Sequence, residues 1–415
     1  MKYLFNSIPR GVIYHSLAYD LKNIFRVIFA NLKQEKLVEE YKKSFAKING
    51  SKYCTIFSYA RTGIYFSLKS QNFDEGTEVI MPPITFKAIL DGVLDLGLKP
   101  IFVDIDSESF CFDIEKLKSS ISPNTKAILI TYLFGVVPNM DELIRFCKNN
   151  NLFVVEDFSQ CLNGEYNEKK VGNFGDVGVY SSSTTKTLDT YGGGICVTNR
   201  EDIFIALEKY QKALHNTSRF RIFKVVVIDF IRNFATNNLV FTLITYPLIK
   251  LLDKLSNKSV TKYVGDRSKK QINELPSFWF EKFSSFQARI GLELINSVEK
   301  KDKIRIDNVD FILNSLKTSS SKTPLILNNS KNVYWQFVIQ YPKPQEAIDF
   351  FKKRGIDSAT TSLIQISNLD YVPKKETINA ENLLNNGVFI PSYSRLSNSR
   401  VNRIKKAVEA YERFI

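Results

Sequence analysis

The chain has 415 residues, too many for one small core and enough for two or three structural units. Hydrophobic residues make up 44% and charged residues 24%, without low-complexity tracts or short repeats, which excludes a disordered or fibrous chain. The net charge of +14 is concentrated in residues 1–50 and 216–270, and leaves the remainder close to neutral.

Residues 17–48 are predicted as one helix from the spacing of Leu17, Leu21, Ile24, Phe25 and Ile28. "YCTIFSYART" reads as a short buried strand, a turn, and a helix from about Thr62. "TEVIMPP" is a strand stopped by Pro82 and Pro83. "FKAILDGVLDLG" follows as a helix and "KPIFVDID" as a strand. "TKAILITYLFG", "MDELIRFCKNN" and "LFVVEDFS" then read as strand, helix and strand. Fully apolar strands alternating with helices indicate an α/β fold, with a mostly parallel sheet covered on both faces. Ligands in such sheets bind at the carboxyl ends of strands. From about residue 276 the pattern changes to strand, helix and a closing helix, a smaller α+β domain. The expected organisation is an N-terminal helical arm (1–50), a large α/β domain (51–215), a basic amphipathic helical insertion (216–275) and a small C-terminal domain (276–415).

Five cysteines form no CxxC pair, and the histidines are His15 and His215 alone, so reduced buried cysteines and no metal site are expected. The start, MKYLFNSIPRG, lacks a long apolar core and a small-residue cleavage site. No signal peptide and a cytoplasmic location are expected. No nucleic-acid module accompanies the basic charge.

One run, "VYSSSTTKTLDTYGGGICV" (179–197), concentrates chemistry. Lys186 follows a series of hydroxyls and precedes three glycines. A lysine near a strand end is usually a solvated charge, but a neutral amine attacks an aldehyde and holds it as a Schiff base. Pyridoxal phosphate is such an aldehyde. It needs a carboxylate at the pyridine nitrogen, donors around its phosphate, and an apolar face against its ring. Asp157, closing "LFVVED", supplies the carboxylate. Ser181 and its neighbours supply hydroxyls, and the turn in "SYART" brings Arg61 to a helix start. Phe86, after "PPIT", can cover the ring, and Gly192 to Gly194 let backbone pass close to the cofactor.

The order and spacing of "GTEVIMPPITFKAILDGVLDLGLKPIFVDID" and "VVEDFSQCLNGEYNEKKVGNFGDVGVYSSSTTKTLDTYGGGICVTN" resemble the DegT/DnrJ/StrS sugar aminotransferases, of aspartate aminotransferase fold type I. The resemblance covers about residues 40–215. It continues more weakly over 276–415, where "FKKRGID" and "NAENLLNNGVFIPSYSRLSNSRVNRIKKAVEAY" match the small domain. It implies a pyridoxal 5'-phosphate enzyme and a homodimer. The implied reaction carries an amino group, with glutamate as donor, to a nucleotide-linked keto-sugar, for surface polysaccharide or lipopolysaccharide. By the same resemblance Lys186 is the Schiff-base lysine and proton shuttle. Asp157 pairs with the pyridine nitrogen, Gln160 contacts the ring hydroxyl, Ser181 binds phosphate and Phe86 stacks on the ring. Ala60 and Arg61 stand in the phosphate turn. Members of the family that dehydrate sugars carry histidine in place of the lysine, so Lys186 favours transamination over lyase chemistry.

Several positions depart from the family. The usual Ser-Gly-Thr phosphate turn is Tyr59-Ala60-Arg61, where Arg61 either makes a charge-assisted phosphate contact or serves a salt bridge with no ligand role. The usual Glu-Gly-Gly is Gly192-Gly193-Gly194, and the Asn-x-Arg segment given across the dimer is Phe280-Glu281-Lys282. Ser183 replaces a frequent histidine. These changes leave the cofactor chemistry in place and open the substrate class. They also motivate a catalytically silent relative as the alternative, against which the joint presence of Lys186, Asp157 and Gln160 stands. Residues 216–270 lack a family counterpart. Their longest charge-free run, about 17 residues, contains Asn237, Asn238 and Pro247 and is a poor transmembrane span. Two readings stand: the insertion packs on the protein or covers the site, or it forms a basic amphipathic hairpin on an anionic membrane.

Overall fold

The computed structural model describes residues 6–256, 269–316 and 321–414, so residues 257–268 of the basic insertion lie outside the described residues. The chain opens with α1 (Leu17–Phe29) and α2 (Glu35–Asn49), where the spacing predicts one helix over 17–48. Ala30 leaves α1 in an extended conformation, and Asn31 turns the chain by accepting the Lys33 N–H at 3.0 Å. Ser285 holds the break from a distant part of the chain: its hydroxyl donates to the Asn31 carbonyl and its N–H to that of Leu32. Apolar periodicity continues through the break because both helices bury one face.

The apolar runs then alternate as β1 (Tyr53–Phe57), α3 (Ala60–Lys69), β2 (Glu78–Met81), β3 (Ile84–Thr85), α4 (Lys87–Asp95) and β4 (Lys99–Phe102). They continue as α5 (Ile114–Lys118), β5 (Thr125–Thr131), α6 (Met140–Asn149) and β6 (Phe153–Asp157). A small hairpin, β7 (Glu165–Tyr166) and β8 (Lys169–Lys170), precedes β9 (Val177–Ser181), β10 (Gly194–Thr198) and α7 (Glu201–Ala213). Seven strands form one sheet in the order β1-β10-β9-β6-β5-β2-β4. From β9 to β4 the neighbours run parallel, while β10 and β1 close that edge antiparallel. Val79, Leu129 and Val155 fill one face of the sheet, and Ile80, Ile128 and Val154 the other, so the apolar strands are buried on both sides.

The insertion is helical: α8 (Arg219–Ala235), α9 (Asn238–Val240) and α10 (Tyr246–Ser256), the last two joined by a π-helical turn at Phe241–Thr245. Helix α8 packs on α1 and buries Ile222, Val226, Asp229 and Asn233. Helix α11 (Ser285–Leu294) packs on α2, and α12 (Val298–Leu313) leads to the small domain. That domain comprises β11 (Ser330–Lys331), β12 (Phe337–Gln340), α13 (Pro344–Lys353), β13 (Ala359–Thr360), β14 (Ile364–Gln365), α14 (Ile378–Asn386), β15 (Gly387–Ile390) and α15 (Asn398–Glu412). Its sheet runs β12-β15-β13, whereas β11 joins β7 and β14 pairs with β3, one residue before Phe86. The small domain is therefore stitched to the rim of the large sheet where the carboxyl ends of the strands emerge.

Candidate active site

Asp157 is the last residue of β6, opposite Thr131 of β5 and Val179 of β9. It is buried and accepts the Ser159 N–H at 3.0 Å. Burial pushes its carboxyl above the ordinary value, and Ser159 and Lys186 pull it back. Its neighbour Glu156 points to the other face, as strand alternation requires. Glu156 accepts N–H bonds from Gly172, Phe174 and Gly175 at 2.9, 2.7 and 2.6 Å, and a hydroxyl bond from Tyr132. The Glu-Asp pair and the G-x-FGD run thus divide their work. Glu156 ties the loop down, and Asp157 faces the cleft.

Lys186 sits in the loop between β9 and β10, clamped by parts of the chain far away in sequence. Thr185, just before it, has φ +75°, a strained conformation for a β-branched residue. The Trp335 indole N–H donates to the Thr185 carbonyl at 3.0 Å, and its ring lies 3.8 Å from the Lys186 Nζ. Thr184 donates to the fully buried Asp229 of α8 at 2.7 Å. Thr187 donates to Asp302 at 2.9 Å, and the buried Arg305 binds both residues. The buried His15 reaches the loop from the N-terminal arm. Its Nε2 donates to the Asp189 carbonyl at 2.8 Å and its Nδ1 to Asp20 at 2.9 Å. Both partners are acceptors, so the ring carries both protons. Burial opposes that charge, but Asp189 and Asp20 outweigh it and raise the histidine's pKa.

Lys186 keeps some accessible surface, yet the protein packed around it disfavours the ammonium and lowers its pKa to about 8, against the opposing pull of Asp157. A free lysine would titrate near 10.4. The amine is therefore half neutral near pH 8, and its reactivity toward an aldehyde rises with pH through that value. The rate of covalent loading of the cofactor-free protein with pyridoxal phosphate should climb from neutral pH and level off above about 8. A rate still climbing steeply at far higher pH would show an unperturbed lysine.

Gln160 accepts the Phe134 N–H at 2.6 Å through its amide oxygen, so its amide nitrogen is the remaining donor end. Ser181 ends β9, and its hydroxyl pairs with that of Ser183 at 2.9 Å. Across from it, Ala60 and Arg61 form the first turn of α3, whose leading N–H groups face away from the helix's own carbonyls. Of the three glycines, Gly194 makes room for this turn, while Gly193 packs on Ser182 and Phe283. A Cβ on Gly194 would lie 2.1 Å from the Tyr59 carbonyl carbon, and one on Gly193 2.3 Å from the Ser182 hydroxyl. The β1–α3 turn crosses β10 so closely that no side chain fits.

The Arg61 guanidinium lies over the rings of Tyr59 at 4.0 Å and Trp279 at 4.5 Å, with Phe86 6.0 Å away. Phe86 is 41% exposed at the cleft wall. Glu281, in the segment that departs from Asn-x-Arg, is paired with Arg221 of α8 at 2.8 Å. A cavity of about 170 Å³ opens among Ser58, Tyr59, Ser183, Thr184, Arg221 and Glu281. Sequence reading missed Arg221, Asp229 and Trp335. Both helix residues lie in the segment read from sequence as without a family counterpart, although the family model leaves only 225–247 unmatched, which holds Asp229 and not Arg221; Trp335 is about 150 residues from the lysine it touches. The hydroxyl of Thr131, opposite Asp157 on β5, is buried without a hydrogen-bond partner among the described residues. Such a group is costly unless a ligand or water meets it.

The DegT/DnrJ/EryC1/StrS aminotransferase family model matches residues 26–224 and 248–409. The gap between the two matches begins inside α8 and ends inside α10. GDP-perosamine synthase from Escherichia coli O157:H7 is 32% identical over 178 residues, 43% of this chain and 47% of that protein. GDP-4-keto-6-deoxy-D-mannose 3-dehydratase from Yersinia pseudotuberculosis is 31% identical over 192 residues, 45% of this chain and 49% of that protein. The matched stretch spans about half the length of these curated relatives. Among solved structures, sugar aminotransferase CalS13 from Micromonospora echinospora shares the fold with a TM-score of 0.75 at 17% identity, covering 97% of this chain and 99% of that one.

Proposed function

The chain belongs to the DegT/DnrJ/EryC1/StrS aminotransferase family, and from that membership we propose that it is a pyridoxal-phosphate-dependent aminotransferase acting on a keto-sugar. One observation carries the reading: Lys186, its pKa lowered to about 8, within electrostatic reach of Asp157 at the carboxyl end of a parallel strand. The residues present fit the cofactor. The buried, unpartnered hydroxyl of Thr131 beside Asp157 calls for a polar atom at that spot. Lys186 would hold the aldehyde, Asp157 the ring nitrogen and Gln160 the ring hydroxyl. Ser181 and the α3 turn at Ala60 and Arg61 would hold the phosphate, and Phe86 would cover the ring. When bound, the group supplies a carbonyl carbon that takes up an amine and a ring that withdraws electrons from the carbon beside it.

The chain's own residues do the rest. The neutral Lys186 Nζ takes a proton from one substrate carbon and returns it to the neighbouring position. Trp335 fixes the turn that carries this amine and covers it with an apolar ring. Asp157, as a carboxylate, would keep a proton on the ring nitrogen of the bound group. A lysine at position 186 supports amino transfer over dehydration. Both relatives compared above are named for GDP-linked sugars, which supports a nucleotide-linked keto-sugar as acceptor; glutamate as donor is the part of the reading that the family resemblance alone suggests. The reading includes a cytoplasmic homodimer and a product destined for surface polysaccharide or lipopolysaccharide.

The deciding experiment loads the purified protein with pyridoxal phosphate and adds glutamate. A change in the cofactor's absorption with stoichiometric release of 2-oxoglutarate is expected. A bound cofactor that glutamate leaves unchanged, with no oxo-acid released, would exclude glutamate as donor. If other amino acids also failed, the transaminase reading would fall.

A further inference from the structure

Helix α8 meets the lysine loop with residues that the family match leaves out. The match omits 225–247, and two buried polar side chains of α8, Asp229 and Asn233, lie in that stretch. They stand four positions apart, about one turn of helix, on the same face. Asp229 accepts the Thr184 hydroxyl, its two carboxylate oxygens at 2.8 and 2.7 Å. Asn233 donates to Asp20 at 2.7 Å and to the His15 carbonyl at 2.8 Å. His15 in turn donates to Asp20 and to the Asp189 carbonyl. These contacts close a ring that runs from Thr184 through Asp229, α8, Asn233 and His15 to Asp189. Lys186 lies on the piece of chain that completes it.

Two features show that the ring bears on the lysine. Thr185, between the held Thr184 and Lys186, is at φ +75°. A β-branched residue stays in that conformation only where its surroundings over-determine it. Asp229 is also an expensive way to hold a hydroxyl. Its carboxylate is fully buried, and its cationic partner Arg232 is exposed and stands 3.6 Å away. A buried carboxylate so weakly compensated costs stability, which the surrounding packing gains nothing from.

We propose that Asp229 is a positioning residue for Lys186: by fixing Thr184 it holds the strained turn that presents the amine to an aldehyde. It acts through the backbone of Thr184 and Thr185 and is not itself a catalytic group. The proposal rests on the transaminase reading of the cleft and deepens it.

The test sets two forms of the cofactor against the full-length, cofactor-free protein. Pyridoxal phosphate is captured covalently by the Lys186 amine, whereas pyridoxamine 5'-phosphate has no aldehyde and binds without that bond. Asp229→Ala and Thr184→Val each remove the hydrogen bond. Each should slow covalent loading with pyridoxal phosphate, followed by absorption, roughly tenfold to hundredfold. Each should leave the Kd for pyridoxamine phosphate, read by quenching of protein fluorescence, unchanged. The double variant should load no more slowly than the slower single one, because both changes remove one bond. Thr184→Ser keeps the hydroxyl and should recover most of the rate. Loading of both single variants at the wild-type rate overturns the proposal. So does a loss of pyridoxamine phosphate affinity as large as the loss of loading rate, which would make the pair part of the general build of the cleft. A wild-type protein that captures no pyridoxal phosphate would sink the transaminase reading itself, and the proposal with it.

Discussion

Replacing Lys186 with alanine lowers transamination by about 10⁴-fold or more while leaving the fold in place. The loss is large because two functions sit on one atom: the covalent hold on the aldehyde and the movement of the proton. Lys186→Arg should fail equally, since a guanidinium is never neutral at working pH. Borohydride reduction of the loaded wild-type protein should leave the cofactor's mass on the peptide containing residue 186, and on no peptide of the alanine variant. Cofactor trapped on a different lysine would sink the assignment. Stability should not follow activity. The Lys186 pKa falls from its ordinary value to about 8 in the folded protein, so the charged amine costs stability below pH 8. That cost fades as pH rises toward the unfolded lysine's value. Near neutral pH the alanine variant should therefore be at least as stable as the wild type, read as an equal or higher Tm.

Asp157→Asn should cut turnover by about 10²–10⁴-fold with an unchanged or slightly raised Tm. Asparagine keeps an oxygen for the Ser159 N–H, so the strand end stays closed. What it loses is the negative charge, which burial already opposes and which only a cationic partner can justify. The two readouts separate roles. A fall in Tm that matched the fall in turnover would make Asp157 a structural residue. Turnover lost with stability retained, together with a shifted absorption of the bound cofactor, marks a group that acts on the ring.

Much of the large domain was legible because its cause is local. The short apolar runs Val79–Met81, Ala127–Ile130 and Leu152–Val155, closed by prolines, a threonine and a carboxylate pair, read as buried parallel strands, and β2, β5 and β6 lie where those runs lie. The predicted helix over 17–48 failed for the opposite reason. Its break at Ala30 is held by Ser285, more than 250 positions away, and leaves the local apolar spacing undisturbed. Gly194 was seen, but the body packed against it was not. That body is the Tyr59 backbone, brought against Gly194 by the antiparallel pairing of β1 with β10. Of the two readings left open for the insertion, α8 packs on α1 and reaches the lysine loop through Asp229 and the cleft through Arg221. Its continuation, α9 to α10, leaves several leucines exposed.

By itself, then, the sequence determined the inventory of the site: a lysine, a carboxylate at a strand end, hydroxyls before the lysine and an arginine at a helix start. It determined the layered α/β plan as well, because hydrophobic periodicity acts over a few residues and is written in consecutive letters. Tertiary structure alone decided how that inventory is tuned. The lowered pKa of Lys186, the strained Thr185, the Trp335 ring on the amine and the unpartnered Thr131 hydroxyl beside Asp157 all come from groups distant along the chain that meet in one place. Desolvation and hydrogen bonding depend on distance in space, and no local pattern in the sequence encodes that distance.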